Sequence, residues 1–108
     1  MKGNLEEEIR EKLLKSFLDT AILARLEHGP MNGYDLNISF TKKFGVIIST
    51  STVYSALVSM ERDGVIKGSY YKRSRVYELE AKGKEKLENV RGSIKAAQDF
   101  IRILMSEY

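Results

Sequence analysis

Residues 49–64 read Ser-Thr-Ser-Thr-Val-Tyr-Ser-Ala-Leu-Val-Ser-Met-Glu-Arg-Asp-Gly, and this stretch decides the fold. Its two ends carry the start and stop signals of a helix. Ser49 can cap the first turn, because the first N–H groups of a helix have no backbone partner. Gly64 stands just past the last turn, where a left-handed residue closes the helix. The sequence therefore predicts a helix over residues 50–62.

The two faces of this predicted helix differ in chemistry. One face is apolar, and its members recur every three or four positions: Val53, Ala56, Leu57 and Met60. The other face carries hydroxyls and an arginine, with acids only at its far end: Ser51, Thr52, Ser55, Ser59 and Arg62. Such a face suits the polyanionic wall of a DNA groove. The alternative is an ordinary surface helix that is rich in Ser and Thr.

Two helical segments precede this helix. Residues 21–28 form an apolar helical pattern that stops at Gly29-Pro30, because proline cannot continue a helix. Asn32 then offers an N-cap with Asp35 three residues later. The helix that follows runs for about three turns and ends at Gly45, and a short β-branched run joins it to the Ser49 helix.

A basic hairpin follows the third helix. Residues 65–71 and 76–80 are rich in β-branched and aromatic side chains, and Lys72-Arg73-Ser74-Arg75 separates them. This pattern predicts two strands joined by a basic tip. Three helices followed by such a hairpin make a winged helix-turn-helix, so the predicted fold class is mostly α with a small β-hairpin.

Four ordered motifs resemble the PadR family of transcriptional regulators. They are Gly-Pro-Met-Asn-Gly-Tyr-Asp-Leu (29–36), Ser-Thr-Val-Tyr-Ser-Ala-Leu (51–57), Glu-Arg-Asp-Gly-Val-Ile (61–66) and Tyr-Glu-Leu-Glu-Ala-Lys-Gly (77–83). The resemblance covers residues 16–87 and is to the short members, which lack a multi-helix C-terminal domain. It implies a transcriptional repressor. The homodimer predicted below from the C-terminal segment would bind a pseudo-palindromic operator. Thr50, Ser51 and Ser55 stand where the family often has Pro or Gly, and the hairpin tip is short.

The positive charge is concentrated on the hairpin. The chain has a net charge of only +3, yet residues 65–86 hold seven basic and three acidic side chains. A basic patch on a nearly neutral body is typical of phosphate binding. Basic residues that protect the edge of a hairpin from association are the alternative interpretation.

These observations predict a DNA-binding surface made by the third helix and the wing. The third helix enters a major groove, Tyr54 holds the DNA backbone, and Arg73 and Arg75 contact flanking phosphates. The resemblance favours a phosphate role for Tyr54 and a mainly packing role for Tyr34. The predicted DNA-binding residues are Tyr34, Thr50, Ser51, Thr52, Tyr54, Ser55, Ser59, Lys72, Arg73 and Arg75. Tyr70, Tyr71 and Tyr77 are interpreted as partners in cross-strand pairs.

The C-terminal segment predicts a long dimerisation helix. Its apolar residues alternate three and four positions apart over about three heptads. A helix from Ala81 to the end would be roughly 40 Å long, more than a body of this size can cover, which favours a dimer over folding back. The predicted interface residues are Leu87, Val90, Ile94, Ala97, Phe100, Ile101, Leu104 and Tyr108.

The amino-terminal residues complete the predicted organisation. Leu5, Ile9, Leu13 and Phe17 recur every four positions and predict a helix that packs on the same seam, in its own subunit or in its partner. The chain is thus divided into an N-terminal helix (1–15), a winged helix-turn-helix domain (16–80) and a C-terminal dimerisation helix (81–108). A small aromatic effector near Phe17, Phe100 and Tyr108 is a further hypothesis.

Composition excludes several other classes. The chain of 108 residues has no cysteine, and hence no disulfide or thiolate metal site. No apolar run reaches the ~20 residues of a membrane span, and the amino terminus is acidic and unlike a signal peptide, so we expect a cytoplasmic location. His28 has no nucleophile motif beside it, and we expect neither an enzyme nor a cofactor. A winged-helix module that binds protein and not DNA remains the alternative function.

Overall fold

The structure is a computed structural model, and it describes the backbone of residues 2–106 and the side chains of residues 6–106. The helices are α1 (Lys2–Ser16), α2 (Leu18–Leu26), α3 (Gly33–Phe44), α4 (Thr50–Arg62), α5 (Ala81–Gly92) and α6 (Ile94–Leu104). The strands are β1 (Met31–Asn32), β2 (Ile66–Tyr71) and β3 (Ser74–Leu79). This arrangement confirms the predicted winged helix-turn-helix.

The ends of α3 and α4 form at the predicted residues. The Asn32 side chain accepts a hydrogen bond from the Asp35 N–H at 2.7 Å, and Ser49 Oγ accepts one from the Thr52 N–H at 3.2 Å. Gly45 and Gly64 adopt left-handed φ angles of 67° and 78°, which L side chains rarely adopt. Local capping chemistry therefore sets the length and the direction of both helices.

One hydrophobic core joins α2, α3, α4 and the base of the hairpin. Its fully buried members each have less than 2% of their surface exposed: Ile22, Leu23, Leu36, Ile48, Val53, Leu57, Ile66 and Leu87. The predicted apolar face of α4 supplies Val53, Leu57 and Met60. Because these side chains are buried, the opposite face of α4 is held outward.

The sheet has one strand more than the predicted hairpin. Strands β2 and β3 pair antiparallel from Ile66↔Leu79 to Tyr71↔Ser74. The two-residue strand β1 pairs with β3 through Met31↔Tyr77 and Asn32↔Val76, which gives the order β1-β3-β2. The wing is therefore attached through β1 to the segment that starts α3.

The C-terminal segment is two helices, so the prediction of one continuous helix is wrong. At Ser93 the backbone takes φ −106° and ψ 7°, which separates α5 from α6. Ser93 Oγ donates to the Asn89 carbonyl at 3.0 Å, a bond by which serine competes with regular helix geometry. Gly92 precedes it and has a low helix propensity.

Helix α5 belongs to the winged-helix body. Lys86 forms an ion pair with Asp19 and Arg91 forms one with Glu27, both at 2.9 Å, and these pairs tie α5 to α2 and its C-cap. Leu87 is 1% exposed within the core of its own chain. Its predicted place in a dimer interface is therefore corrected, because it is not accessible to a partner.

Among the helices that the structure describes, none has the combination of length and apolar content needed to cross a lipid bilayer.

Candidate nucleic-acid interface

The outward face of α4 carries small polar side chains. Thr50, Ser51 and Ser55 are exposed, while Thr52 and Ser59 are half-buried at the edge of the face. Helix α4 contains one carboxylate, that of Glu61 in its last turn. The three turns before it present no negative charge, which leaves them compatible with a polyanion.

Two of the predicted hydroxyl contacts are already occupied within the protein. Thr52 Oγ1 lies 2.7 Å from Ser49 Oγ, in the cap of the helix. Ser59 Oγ accepts a hydrogen bond from Arg62 Nη2 at 3.1 Å. The hydroxyls of Ser51 and Ser55 are the more accessible ones, although Ser51 Oγ lies 3.3 Å from Ser49 Oγ.

Val58 was missed by the sequence analysis. Its side chain is 62% exposed, and helical geometry places it on the same face as Ser51, Ser55 and Arg62. The signal was available in the sequence, because Val58 does not share the three- and four-residue spacing of the buried positions. An exposed apolar side chain in this face can contact the methyl group of a thymine.

Both tyrosines are exposed, Tyr34 more than Tyr54. Tyr34 is 69% exposed, so its predicted packing role is wrong, whereas Tyr54 is 39% exposed. A Cβ added to Gly33 would lie 2.7 Å from the Tyr54 ring and 2.9 Å from its hydroxyl. The absence of a side chain at Gly33 thus allows Tyr54 to lie against the first turn of α3.

The tip of the wing is a two-residue turn, Lys72-Arg73. Both side chains are exposed, and neither makes a hydrogen bond or an ion pair with any residue that the structure describes. Lys72 has a φ angle of 59°, which is uncommon for a residue with a side chain. Its ammonium lies 5.5 Å from the centre of the Tyr71 ring. These two cations are free to meet a phosphate.

Arg75 differs from the tip residues because its guanidinium is bound within the protein. Arg75 Nη2 lies 2.5 Å from Glu61 Oε2, at the last turn of α4. Burial lowers the pKa of Arg75, but the charge and hydrogen bond of Glu61 raise it more, so the net shift is upward. The predicted phosphate contact of Arg75 stays a prediction, and this ion pair competes with it.

The basic charge of residues 65–86 is also partly used inside the molecule. Lys82 Nζ donates to the Asp63 carbonyl at 2.9 Å, and Lys86 pairs with Asp19. The accessible positive charge is therefore smaller than the sequence suggested, and much of it lies at the tip of the wing.

The strand tyrosines do not pair with one another. Tyr70 lies opposite Arg75, Tyr71 opposite Ser74 and Tyr77 opposite Gly68, so each tyrosine is in a cross-strand pair whose other member is not aromatic. Tyr77 is 4% exposed. Burial, with the nearby Glu61 and Tyr54, raises the pKa of its hydroxyl and Arg75 lowers it, and the net shift is upward.

The second candidate surface is the apolar face of α6, where no described residue is buried. Ile94, Phe100, Ile101 and Leu104 are exposed, as are Ile9, Leu13 and Phe17 near the amino terminus. A groove of about 890 Å³ lies between α2, α5 and α6, and Phe17, Val90, Ile94, Ala97 and Ile101 contribute to its lining. Phe100 does not line this groove, and Tyr108 lies outside the described residues.

Comparison with protein families matches residues 22–89 to the Transcriptional regulator PadR-like family. This match spans more than half of the chain. The chain belongs to the PadR-like family of transcriptional regulators. The resemblance seen in the motifs is thereby confirmed, and the family places this PadR-like chain among regulators and not among enzymes. Within the described residues, no cluster of His, Cys, Asp or Glu could hold a metal ion.

Solved structures of similar proteins agree with this assignment. A transcriptional regulator from Clostridium thermocellum has a TM-score of 0.79 at 23% identity, covering 88% of this chain and 96% of its own. A putative transcriptional regulator from Thermoplasma acidophilum has a TM-score of 0.72 at 27% identity, covering 89% and 95%. Bacillus subtilis PadR, in complex with operator DNA, has a TM-score of 0.59 at 25% identity, covering 67% and 45%. No curated protein matches the chain.

Proposed function

We propose that this PadR-like protein is a homodimeric, sequence-specific DNA-binding regulator that acts in the cytoplasm, most simply as a repressor. The observation that carries the proposal is the outward face of α4. Apart from Val58 this face is polar and exposed, and the single carboxylate of α4, that of Glu61, is paired with Arg75. The related Bacillus subtilis PadR is known in complex with operator DNA. Here α4 would be the recognition helix in the major groove.

Within α4, Ser51, Ser55 and Val58 are the proposed base contacts. Hydroxyls donate to or accept from several base edges, and the Val58 methyl groups fit a thymine methyl. Such contacts discriminate weakly one by one. DNA shape and bridging water therefore share in the readout.

Around these base contacts, phosphate contacts would fix the position of α4. Thr50 lies at the amino end of the helix, and the Tyr54 hydroxyl lies at the start of α3, where both can donate to the DNA backbone. Tyr34 is exposed in the first turn of α3 and is a further backbone contact. Lys72 and Arg73 would hold the flanking phosphates from the wing.

The dimer is proposed from the uncovered apolar surface of α6 and α1. Isolated exposed apolar residues are common on monomers, but a contiguous patch of this kind marks an interface. Pairing of two chains would cover Ile94, Ile101 and Leu104, place two α4 helices on one duplex, and require an operator with matching symmetry. The groove beside Phe17 is then the place where an aromatic effector would bind.

Selection of bound duplexes from a random pool tests the proposal. A dimer that reads DNA through α4 should enrich a pseudo-palindrome with half-sites about one helical turn apart. Ser51→Ala and Ser55→Ala should then each weaken operator binding by about 1 kcal/mol, the size of one neutral hydrogen bond, with little effect on a scrambled duplex. No enrichment and no salt-dependent binding would support the alternative, a winged-helix module that binds protein.

A further inference from the structure

Arg75 holds a special position in the wing. The sheet is three strands wide up to Val76, where β3 pairs with Asn32 of β1. Beyond that point only the hairpin continues, through Tyr70↔Arg75 and Tyr71↔Ser74. Counted from the base of the hairpin towards its tip, Arg75 is thus the first residue of β3 beyond the part that pairs with β1. The contact that it makes decides how firmly the outer hairpin is attached to the body.

That contact joins the wing to the recognition helix. Besides the ion pair with Glu61, the Arg75 guanidinium lies 5.2 Å from the centre of the Tyr70 ring and 5.9 Å from that of Tyr77. The side chains of Arg75 and Glu61 are only 35% and 32% exposed. A planar guanidinium can form this ion pair and stack on both rings, which an ammonium could not do as well.

Gly68 leaves the space that the guanidinium occupies. It lies opposite Tyr77, and a Cβ at this position would stand 2.8 Å from Arg75 Nη2 and 2.9 Å from Nε. Its φ angle is not left-handed, so conformation does not require glycine here. The requirement is for space, which indicates a site shaped around the Arg75 side chain.

We propose that Arg75 is a positioning residue that fixes the wing against the last turn of α4, through Glu61, so that α4 and the tip of the wing fit one duplex. This proposal rests on DNA binding as the proposed function. It replaces a direct phosphate contact of Arg75 by an indirect role. Lys72 and Arg73 then carry the phosphate contacts of the wing, while Arg75 determines where they stand.

A fixed wing strengthens DNA binding because less conformational entropy is lost when the complex forms. A wing that moves relative to α4 must be ordered when DNA binds, and that ordering weakens binding without removing a contact. The ion pair also neutralises Glu61, the one carboxylate of α4, beside a polyanionic ligand. Neutralising either partner removes the attachment of the wing. Only Arg75→Gln also leaves the Glu61 charge uncompensated, because Glu61→Gln removes that charge.

Glu61→Gln distinguishes the two hypotheses for Arg75, positioning of the wing and contact with a phosphate, because they predict opposite changes in DNA affinity. If Arg75 positions the wing, Glu61→Gln and Arg75→Gln should each weaken operator binding by about tenfold, the size of a lost charged hydrogen bond. The double variant should be no weaker than either single variant, since both lose the same contact. If Arg75 contacts a phosphate, Glu61→Gln frees it and removes a negative charge, so binding stays equal or becomes tighter.

The salt dependence gives a second distinction, with Arg73→Gln for comparison. Arg73→Gln should reduce the slope of log affinity against log salt by roughly one to two units per dimer. Arg75→Gln should leave that slope unchanged while affinity falls. Gly68→Ala keeps every charge and displaces only the guanidinium, so it should weaken binding in the same direction as Arg75→Gln.

Amide hydrogen exchange of the free protein tests the attachment without DNA. Arg75→Gln and Glu61→Gln should speed exchange in residues 70–75 and leave the buried turns of α4 protected. Unchanged exchange, or tighter binding by Glu61→Gln, would overturn the proposal. A wild-type protein that binds no duplex would refute the proposed function instead, and the exchange result would still decide whether Arg75 fixes the wing.

Discussion

At the residue scale, two glycines show how a missing side chain shapes the candidate interface. Gly33 makes room for Tyr54, and Gly68 makes room for Arg75. In both places an exposed or half-exposed polar side chain lies against backbone, which holds it in one orientation. Functional side chains held in this way lose less entropy on binding than freely rotating ones.

Gly33→Ala should displace the Tyr54 ring from the start of α3. The new Cβ would meet ring atoms at 2.7 Å, and the ring must move because the helix backbone does not. We expect weaker binding to operator and scrambled DNA alike, as for Tyr54→Phe, because a phosphate contact carries no sequence information. Binding isotherms on both duplexes measure this effect.

Gly92→Ala is the matched control, because nothing lies within 4 Å of a Cβ there. It should leave DNA binding unchanged and stabilise the end of α5 by roughly 0.5–1 kcal/mol. If Gly33→Ala binds DNA like the wild type, Tyr54 is not held by this contact.

The sequence predicted residues whose role is local and missed those whose role depends on the fold. Ser49, Asn32 and Gly64 act on their own helix ends, so a short stretch of sequence was sufficient to find them. Tyr34 and Tyr54 could not be distinguished in this way, because their exposure depends on how α3 and α4 cross. The ion pair between Arg75 and Glu61 spans 14 residues and has no local signal.

At the element scale, the tip of the wing has a lysine where the backbone conformation favours another residue. Its two-residue turn places Lys72 at a φ angle of 59°, where Gly or Asn is preferred. A lysine at this position is less favourable for folding but presents a cation at the outer end of the hairpin. Under the proposed function, DNA binding and local stability therefore favour different residues at this position.

Lys72→Asn should separate these two effects. Asparagine accepts the left-handed conformation more readily, so the melting temperature should stay equal or rise slightly. Loss of the cation should reduce the salt slope of DNA binding by roughly one to two units per dimer. Thermal unfolding and binding at several salt concentrations check the two results, and a lower melting temperature would contradict the account of the turn.

The features of the fold that the sequence did not predict also depend on contacts between distant segments or on local backbone geometry. Strand β1 is two residues long, too short for any period, and it forms only because β3 is beside it. The break at Ser93 interrupts a heptad pattern that continues on both sides, so the hydrophobic spacing alone could not reveal it. Helix α5 joins the body through Leu87, whose burial depends on α2.

The ion pair between Asp19 of α2 and Lys86 of α5 predicts that the free energy of unfolding depends on pH. Burial raises the pKa of Asp19, but hydrogen bonds from Lys86 and the Thr20 N–H lower it more, so it lies below the usual 3.8. A carboxylate whose pKa is lower in the folded state stabilises the fold above its unfolded pKa, and loses this effect as pH falls through the folded value.

Asp19→Asn should therefore destabilise the protein at pH 7. Its effect should shrink as pH falls through the lowered folded pKa of Asp19, because the wild-type carboxyl is then protonated too. Denaturant unfolding of both proteins at several pH values from 7 to 2.5 measures the difference. A difference that does not depend on pH would show that packing, and not charge, is what the substitution changes.

At the scale of the whole molecule, the apolar residues divide into two groups with different roles. One group is the core that joins α2, α3, α4, the sheet and the first part of α5. The other group lies on α6 and on the exposed side of α1, whose Leu14 belongs to the core, and its members are 40% exposed or more within the described chain. The predicted boundary at residue 81 falls inside the first group. In the structure the change from core to uncovered surface comes near Ser93.

Assembly through α6 is the last expectation, and Ile94→Asp with Ile101→Asp tests it. Burial of each isoleucine in an interface would contribute about 1.5–3 kcal/mol, and a buried carboxylate would oppose association. The wild type should sediment as a dimer at micromolar concentration and the double variant as a monomer. Because these residues are exposed in the single chain, the variant should still fold, with its α4 and core intact. Its melting temperature should no longer rise with protein concentration, and its operator affinity should fall to that of one half-site.

Lys95→Asp is the matched control, because it introduces the same carboxylate on the polar face of α6, and it should stay dimeric. A wild-type monomer, or a double variant that still forms a dimer, would show that the uncovered face of α6 is not where two chains meet.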